Sequence, residues 1–274
     1  SLNVVVSDTL NTTTEAIVVN ITDTNDNSPV LTAAETYSVA EGTTAVGTVT
    51  TTDADAGTTF TYTLSGTDAA DFEITKTEGT QAGVLVFKAA STPDFETQTS
   101  YSLNVVVSDG SNSDTQAIVV NITNVNDNNP VFTSSTSESI NEGQTSVSTV
   151  IAGDDDGDTI AYSIDSTGRA DHALFSIDAS TGALTMAAPD FENATDAHGT
   201  PNNNVYGVTV KATDSGTPAN TATHDISVTV VDTNDNSPVL TAAETYSVAE
   251  GETAVGTVTT TDADAGATFT YTLS

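Results

Sequence analysis

Alternation with period two is the dominant pattern along this chain. Tyr101, Leu103, Val105 and Val107 fall on one side of a stretch whose other side holds Ser102, Asn104, Val106 and Ser108, as in a strand with one face buried. Gln116, Ile118, Val120 and Ile122 likewise oppose Ala117, Val119 and Asn121. Between residues 28 and 128 this alternation, with its turn punctuation, predicts seven strands near 36–40, 45–51, 59–64, 71–75, 83–88, 100–108 and 115–123. Further on, strands near 174–178 and 183–187 are joined by Ser180-Thr181-Gly182, with glycine where a positive φ is needed. No stretch sustains a helical period. Seven short strands in roughly 100 residues predict an all-β fold of Greek-key, immunoglobulin-like sandwiches. Tyr37, Tyr62, Tyr101, Tyr162 and Tyr206 sit at alternating strand positions and are expected in or beside the cores.

The pattern repeats. Asn25-Asp26-Asn27, Asn126-Asp127-Asn128 and Asn234-Asp235-Asn236 recur at offsets of 101 and 108, each shortly before a proline. Residues 28–65 and 237–274 agree at 36 of 38 positions, and residues 1–27 match 102–128 at 20 of 27. The expected layout is the tail of one repeat (1–27), two complete repeats (28–128 and 129–236) and the head of another (237–274), placed end to end. The chain opens inside a strand pattern and reads as a piece of something longer. By this reading 1–27 supplies the last two strands of a domain and 237–274 the first three.

Charge changes the picture. The 274 residues hold 38 acids against 4 bases, for a net charge of −34. Such a chain cannot neutralise phosphates, which excludes nucleic acid as a partner. With no cysteine there are no disulfides, thiol nucleophiles or thiolate metal sites. No apolar run reaches the length of a membrane span. The three histidines, His172, His198 and His224, share no metal spacing and are expected at the surface. No constellation supports an enzyme: paired carboxylates recur in every copy, whereas a catalytic site is rarely needed once per repeat. Sequons at Asn20, Asn121 and Asn193 are expected by chance in a chain so rich in threonine.

The acids themselves recur at fixed places. Glu41, Asp94, Glu96 and Asn126-Asp127-Asn128 belong to one repeat, and Asp154, Asp156 and Asp214 to the next. They fall at strand ends and loops, where the poles of successive sandwiches gather them. Two carboxylates about 4 Å apart repel by roughly 4 kcal/mol at an effective dielectric near 20. Oxygen ligands without histidine or cysteine are the donor set of a hard cation, and calcium accepts six to eight of them in flexible geometry.

At these residues the sequence resembles the cadherin repeat, in particular the tandem cadherin-like repeats of large bacterial surface proteins. The markers are Asp23-Thr24-Asn25-Asp26-Asn27-Ser28-Pro29 and its copies, Ala40-Glu41-Gly42, Asp53-Ala54-Asp55 and Asp94-Phe95-Glu96. Phe175-Ser176-Ile177-Asp178 with Thr181-Gly182-Ala183-Leu184 looks like the family's mid-domain hairpin. The resemblance implies about three calcium ions (Ca2+) at each linker. At 124–128 the ligands would be Glu41, Asp94, Glu96, the Val125 carbonyl, Asn126, Asp127, Asn128, Asp154, Asp156 and Asp214. Seven carboxylates there carry −7 against +6 from three calcium ions, close to neutral.

At 23–27 the implied ligands are the Thr24 carbonyl, Asn25, Asp26, Asn27, Asp53, Asp55 and Asp109. At 232–236 they are Glu142, Asp190, Glu192, the Thr233 carbonyl, Asn234, Asp235, Asn236, Asp262 and Asp264. Asn124 replaces the aspartate found at 23 and 232, a position expected not to be a direct ligand. The absence of tryptophan removes the tryptophan-exchange adhesion of vertebrate classical cadherins. The expected role is a calcium-rigidified segment of an extracellular, cell-surface adhesin or stalk. Its partners would be neighbouring repeats of the same chain. The second reading is a subunit of a self-assembling filament or matrix, joined through homophilic or head-to-tail contacts.

Overall fold

The computed structural model describes residues 2–77, 80–242 and 245–274. They form two compact units, 1–125 and 126–274.

In the first unit β1 (Leu2–Ser7) and β2 (Thr12–Ile17) make an antiparallel hairpin. After it come β3 (Val30–Thr32), β4 (Thr36–Ala40), β5 (Ala45–Thr52), β6 (Thr61–Ser65), β7 (Phe72–Lys76), β8 (Ala82–Phe87), β9 (Ser100–Ser108) and β10 (Ser113–Thr123). They build two four-stranded sheets, β4-β10-β9-β6 and β3-β5-β8-β7. All pairs are antiparallel except β4 with β10, which run parallel. The seven strands expected between 36 and 123 are all present. Val30–Thr32 adds an eighth, too short to show a period, which extends its sheet by pairing with β5.

Burial follows the alternation. Tyr101, Leu103, Val105, Val107, Ile118, Val120 and Ile122 are buried and meet Leu31, Val49, Phe72, Leu85 and Phe87 of the opposite sheet in one core, which Phe60, just before β6, also joins. Each such side chain contributes about 1.5–3 kcal/mol when fully buried. The ring of Phe72 lies 4.2 Å from that of Phe87, and Tyr101 meets Phe87 edge-on at 5.0 Å.

The second unit follows the same plan with β11 (Val131–Phe132), β12 (Ser137–Asn141), β13 (Ser146–Thr149), β14 (Ala152–Gly153), β15 (Ala161–Ile164), β16 (Phe175–Ile177), β17 (Ala183–Met186), β18 (Val205–Thr213) and β19 (Thr221–Val231). The sheet β12-β19-β18-β15 matches β4-β10-β9-β6, while the opposite side divides into β13-β17-β16 and the small pair β11-β14. Gly182 has φ 70°, as the hairpin between β16 and β17 requires. The longer offset of this repeat shows as the loop 190–204. Asp196 anchors it by accepting from Asn203 N (3.2 Å) and Asn204 N (2.9 Å), and Asp171 by accepting from Ala197 N (2.6 Å) and Gly207 N (2.8 Å).

Three tyrosines, Tyr101, Tyr162 and Tyr206, are buried, and Tyr37 and Tyr62 are half-buried. The histidines correct the sequence expectation: all three are half-buried rather than at the open surface. His224 stacks on Phe132 with ring centroids 4.8 Å apart, and His198 contacts Arg169. The imidazole ring serves here as a flat apolar body with a polar rim.

The last segment differs from expectation too. Residues 237–274 hold two described strands, β20 (Val239–Thr241) and β21 (Thr259–Thr261), instead of three. Residues 245–249 repeat the sequence of β4 and 270–274 that of β6, yet neither is a strand. No copies of β9 and β10 follow them within the 274 residues, so their ladder partners are lacking. Tertiary pairing, rather than local propensity, makes those strands.

Candidate metal centre

Strand ends place the acids. Around 232–236, within the second unit, Glu142 follows β12, Asp190 and Glu192 lie in the loop after β17, Asp232 follows β19, and Asp262 and Asp264 follow β21. One carboxylate oxygen from each of Glu142, Asp190 and Glu192 lies within 4.8 Å of the others, and the same holds for Glu192, Asp232 and Asp264. Glu142 is buried, and its oxygens accept from Phe191 N (2.9 Å), Thr233 N (2.7 Å) and the Thr233 hydroxyl (3.0 Å). Those backbone donors hold its pKa below the ordinary carboxylate range against burial and Asp190. Asp264 accepts from both Asn236 N and Asn236 Nδ2. Asp190 and Glu192, with Asp235 and Asn236, line a cleft of about 230 Å3.

Not every oxygen finds a donor. Glu192 Oε1 and Asp232 Oδ1 are buried without a hydrogen-bond partner. Burial, followed by the charges of Glu142 and Asp232, pushes the Glu192 carboxyl above its ordinary range. Burial, then Glu142 and Asp264, does the same to Asp235. An unpaired buried acceptor costs about 1–3 kcal/mol, and more if charged. Asp232 was left out by the sequence reading, which took the first linker position for a bystander. The structure groups it with Glu192 and Asp264. The signal was available, since aspartate holds this position at 23 and 232 and asparagine only at 124.

The second unit also orders 126–128 by itself. Asn128 N and Nδ2 both donate to Asp156, at 2.9 and 3.2 Å. Asn126 Nδ2 donates to Asp214 Oδ1 at 3.1 Å, and Asp156 N to Asp154 Oδ1 at 3.0 Å. Asn126 Oδ1 and Asp154 Oδ2 are buried and lack partners. Asp154 is pushed above its ordinary range by burial first, with Asp156 and Asp214 adding repulsion. Buried Asp214 is fixed by Gly216 N and Asn220 N.

In the first unit, buried Glu41 accepts from Phe95 N (2.8 Å) and Val125 N (2.6 Å), as Glu142 does from Phe191 and Thr233. Asp94 is tied to Thr97 N and Oγ1, and Glu96 follows two residues on. Asp127 and Asp26 hold the middle of their Asn-Asp-Asn runs. At 23–27, Asn27 N and Nδ2 hold Asp55 at 2.8 and 2.6 Å. The Asn25 side-chain amide, oriented to satisfy its neighbours, donates to Asp109 Oδ2 and Asp55 Oδ2. Asp109 accepts from Ser111 N and Asn112 N, and the Asn112 donor does most to lower its pKa. Asp53 Oδ2, the counterpart of Asp154 Oδ2, is again buried without a partner. Thr24, Thr233, Asn234 and Asp262 belong to the same segments.

The donor set fits a hard cation. Oxygens are held in place by backbone N–H groups on one side, while matched oxygens on the other side, at Asp53 and Asp154, are left buried and unsatisfied. Among the described residues, Glu142, Asp190 and Glu192, and again Glu192, Asp232 and Asp264, bring three carboxylates within 4.8 Å of one another.

The Cadherin domain family profile matches residues 35–123 and 136–231. Cadherin EGF LAG seven-pass G-type receptor 2 of mouse is 34% identical over 242 residues, which is 83% of this chain and 8% of the receptor. The chain thus spans under a tenth of such a relative's length. Among solved structures, the protocadherin gammaB7 EC3-6 cis-dimer shares the fold with a TM-score of 0.72 at 24% identity, covering 94% of this chain and 65% of that one. Mouse cadherin-23 EC22-24 gives a TM-score of 0.63 at 27% identity, covering 88% and 80%.

Proposed function

This chain belongs to the cadherin family, and from that premise we propose that it is a calcium-binding repeat segment of an extracellular adhesion or stalk protein. The observation that carries the reading is the set of buried, partnerless oxygens on Asp53, Asp154, Asn126, Glu192 and Asp232. A calcium ion supplies charge neutralisation and six to eight oxygen bonds.

At 232–236 the residues that would hold it are Glu142, Asp190, Glu192, Asp232, Asp235, Asn236, Asp262 and Asp264, with Asn234 and the Thr233 carbonyl. The repeat assigns the matching roles at 124–128 to Glu41, Asp94, Glu96, Val125, Asn126, Asp127, Asn128, Asp154, Asp156 and Asp214. It assigns those at 23–27 to Thr24, Asn25, Asp26, Asn27, Asp53, Asp55 and Asp109, to which Asp23 is added.

The chain's own part is to hold these oxygens ready. Backbone N–H groups aim the Glu142 and Glu41 carboxylates, and the linker asparagines aim the Asp-x-Asp pair. Without a cation the acids repel; with it, successive repeats are stiffened and the array gains reach. Affinities of about 10⁻⁴–10⁻³ M, usual for extracellular calcium modules, would fill the sites outside cells and leave them empty in cytosol. Among the described residues no helix is long and apolar enough to cross a membrane. A bacterial surface as the setting is suggested by the sequence resemblance alone, the relatives found being animal proteins.

Calorimetric titration with calcium, on the native chain and on Asp127→Ala and Asp235→Ala, tests the reading. Each variant is expected to lose bound calcium and heat resistance. Undiminished uptake in both would end it.

A further inference from the structure

Loop 190–204 carries two proposed ligands, Asp190 and Glu192, at its start, and the residue at its end ties them down. Asn204 Nδ2 donates to the Phe191 carbonyl at 2.9 Å. Phe191 lies between the two ligands, and its own N–H donates to Glu142 Oε2 at 2.9 Å. The Asn204 carbonyl accepts from Val230 N of β19 at 2.9 Å, two residues before Asp232. Its N–H donates to the buried Asp196. One residue thus joins the ligand-bearing start of the loop, the end of β19 and the loop's anchor.

Asn204 is a poor choice for stability alone. Its φ is 62°, in the left-handed region that glycine enters without strain. Its Oδ1 is buried without a hydrogen-bond partner. Turning the amide over would set that oxygen against the Phe191 carbonyl, so the orphan oxygen comes with the useful donor. In the preceding repeat Thr99 holds this place: its carbonyl accepts from Ile122 N as that of Asn204 does from Val230 N. Threonine has no amide to offer. The loop there is also shorter, since Thr99 stands 4 residues after Phe95, whereas Asn204 stands 13 after Phe191. A longer segment loses more freedom on closing, and the asparagine supplies the tether that the longer loop needs.

We propose that Asn204 is a positioning residue for the centre at 232–236. By fixing the Phe191 carbonyl it holds Asp190 and Glu192 beside Glu142, and so sets the calcium affinity there without being a ligand itself. Ligands held in place beforehand lose less freedom on binding. The proposal rests on the calcium reading above, and all the residues of this tether lie inside the complete repeat 129–236.

A calcium titration of the full chain followed by NMR tests it. The Phe191 and Thr233 amide signals report the 232–236 centre, and the Asn128 amide reports 124–128. Asn204→Gly keeps the backbone conformation and deletes the donor. It is expected to weaken the calcium midpoint at Phe191 and Thr233 about tenfold, in the range of outer-shell partners, with that at Asn128 unchanged. In chelator, hydrogen exchange at Phe191 N should rise, while melting stays near that of the native chain because glycine takes this φ freely. Asn202→Gly, at an exposed residue of the same loop with φ 58°, should change none of these. A fall in melting point with the midpoints unmoved, or equal weakening at both centres, would overturn the proposal and leave the calcium reading standing. A native chain whose Phe191 and Thr233 signals ignore calcium would end both.

Discussion

Asn236 holds Asp264 with two donors at once, its backbone N–H at 3.1 Å to Oδ2 and its side-chain amide at 2.9 Å to Oδ1. Asn128 holds Asp156 and Asn27 holds Asp55 in the same way. The third residue of each Asn-Asp-Asn run thus fixes the second residue of the following Asp-x-Asp pair. This leaves the remaining lone pairs of that carboxylate aimed by the backbone rather than by chance.

Asn128→Ala removes the side-chain half of one such clamp. A hydrogen bond to a charged acceptor contributes about 1.5–3 kcal/mol, less where solvent reaches it. The expected result is roughly a tenfold loss of calcium affinity at that segment, read by calorimetric titration. In chelator the melting point should fall only slightly.

Glu142 is buried and satisfies two backbone N–H groups and one hydroxyl. Glu142→Ala would leave Phe191 N and Thr233 N without acceptors, at a cost of about 2–4 kcal/mol. Glu142→Gln, which keeps one carbonyl acceptor, should lose less. Urea denaturation in the presence of chelator separates this structural loss from any loss of metal.

The loop 190–204 depends on Asp196, 2% exposed and bonded to Asn203 N and Asn204 N. Asp196→Ala is expected to cost about 2–3 kcal/mol and to open the loop. Limited proteolysis should cut first within it, and hydrogen exchange should rise there while β9 and β10 stay protected.

Asp178 gives the acid dependence. The backbone N–H of Thr181, then the Ser180 and Thr181 hydroxyls and Ser180 N–H, hold its pKa well below the ordinary aspartate range. Its folded value is lowered, so its stabilising contribution is present above the ordinary aspartate range and is lost as pH falls through the lowered value. An NMR titration should place its midpoint far below that of a free aspartate. Asp178→Ala should flatten the acid limb of the second unit's stability curve.

Much of this was legible in the sequence because alternation is a strong signal in long strands. Tyr101 to Val107 and Ile118 to Ile122 announced their buried face. Strands of two or three residues, such as Val30–Thr32 and Val131–Phe132, are shorter than the period needed to reveal them. The acids were found by recurrence, which also explains the omission of Asp232: it varies to Asn124 in one copy, and its proximity to Glu192 and Asp264 joins three segments far apart in sequence. The anchoring of 190–204 by Asp171 and Asp196 was hidden for another reason. Asp171 matches Asp68, which accepts from Ser102 N, but its bond to Ala197 N belongs to the longer loop, as does Asp196, and these bonds go to backbone atoms that carry no sequence signature.

The duplicate of β4 at 245–249 begins more than a hundred residues after β10 is complete. A ribosome adding about 5–20 residues per second would need roughly 5–20 s to cover that distance. Over that interval the true partner can dock before its twin has been synthesised. The dissimilar repeat between the twins thus sets two interchangeable pieces of chain apart in time as well as in sequence.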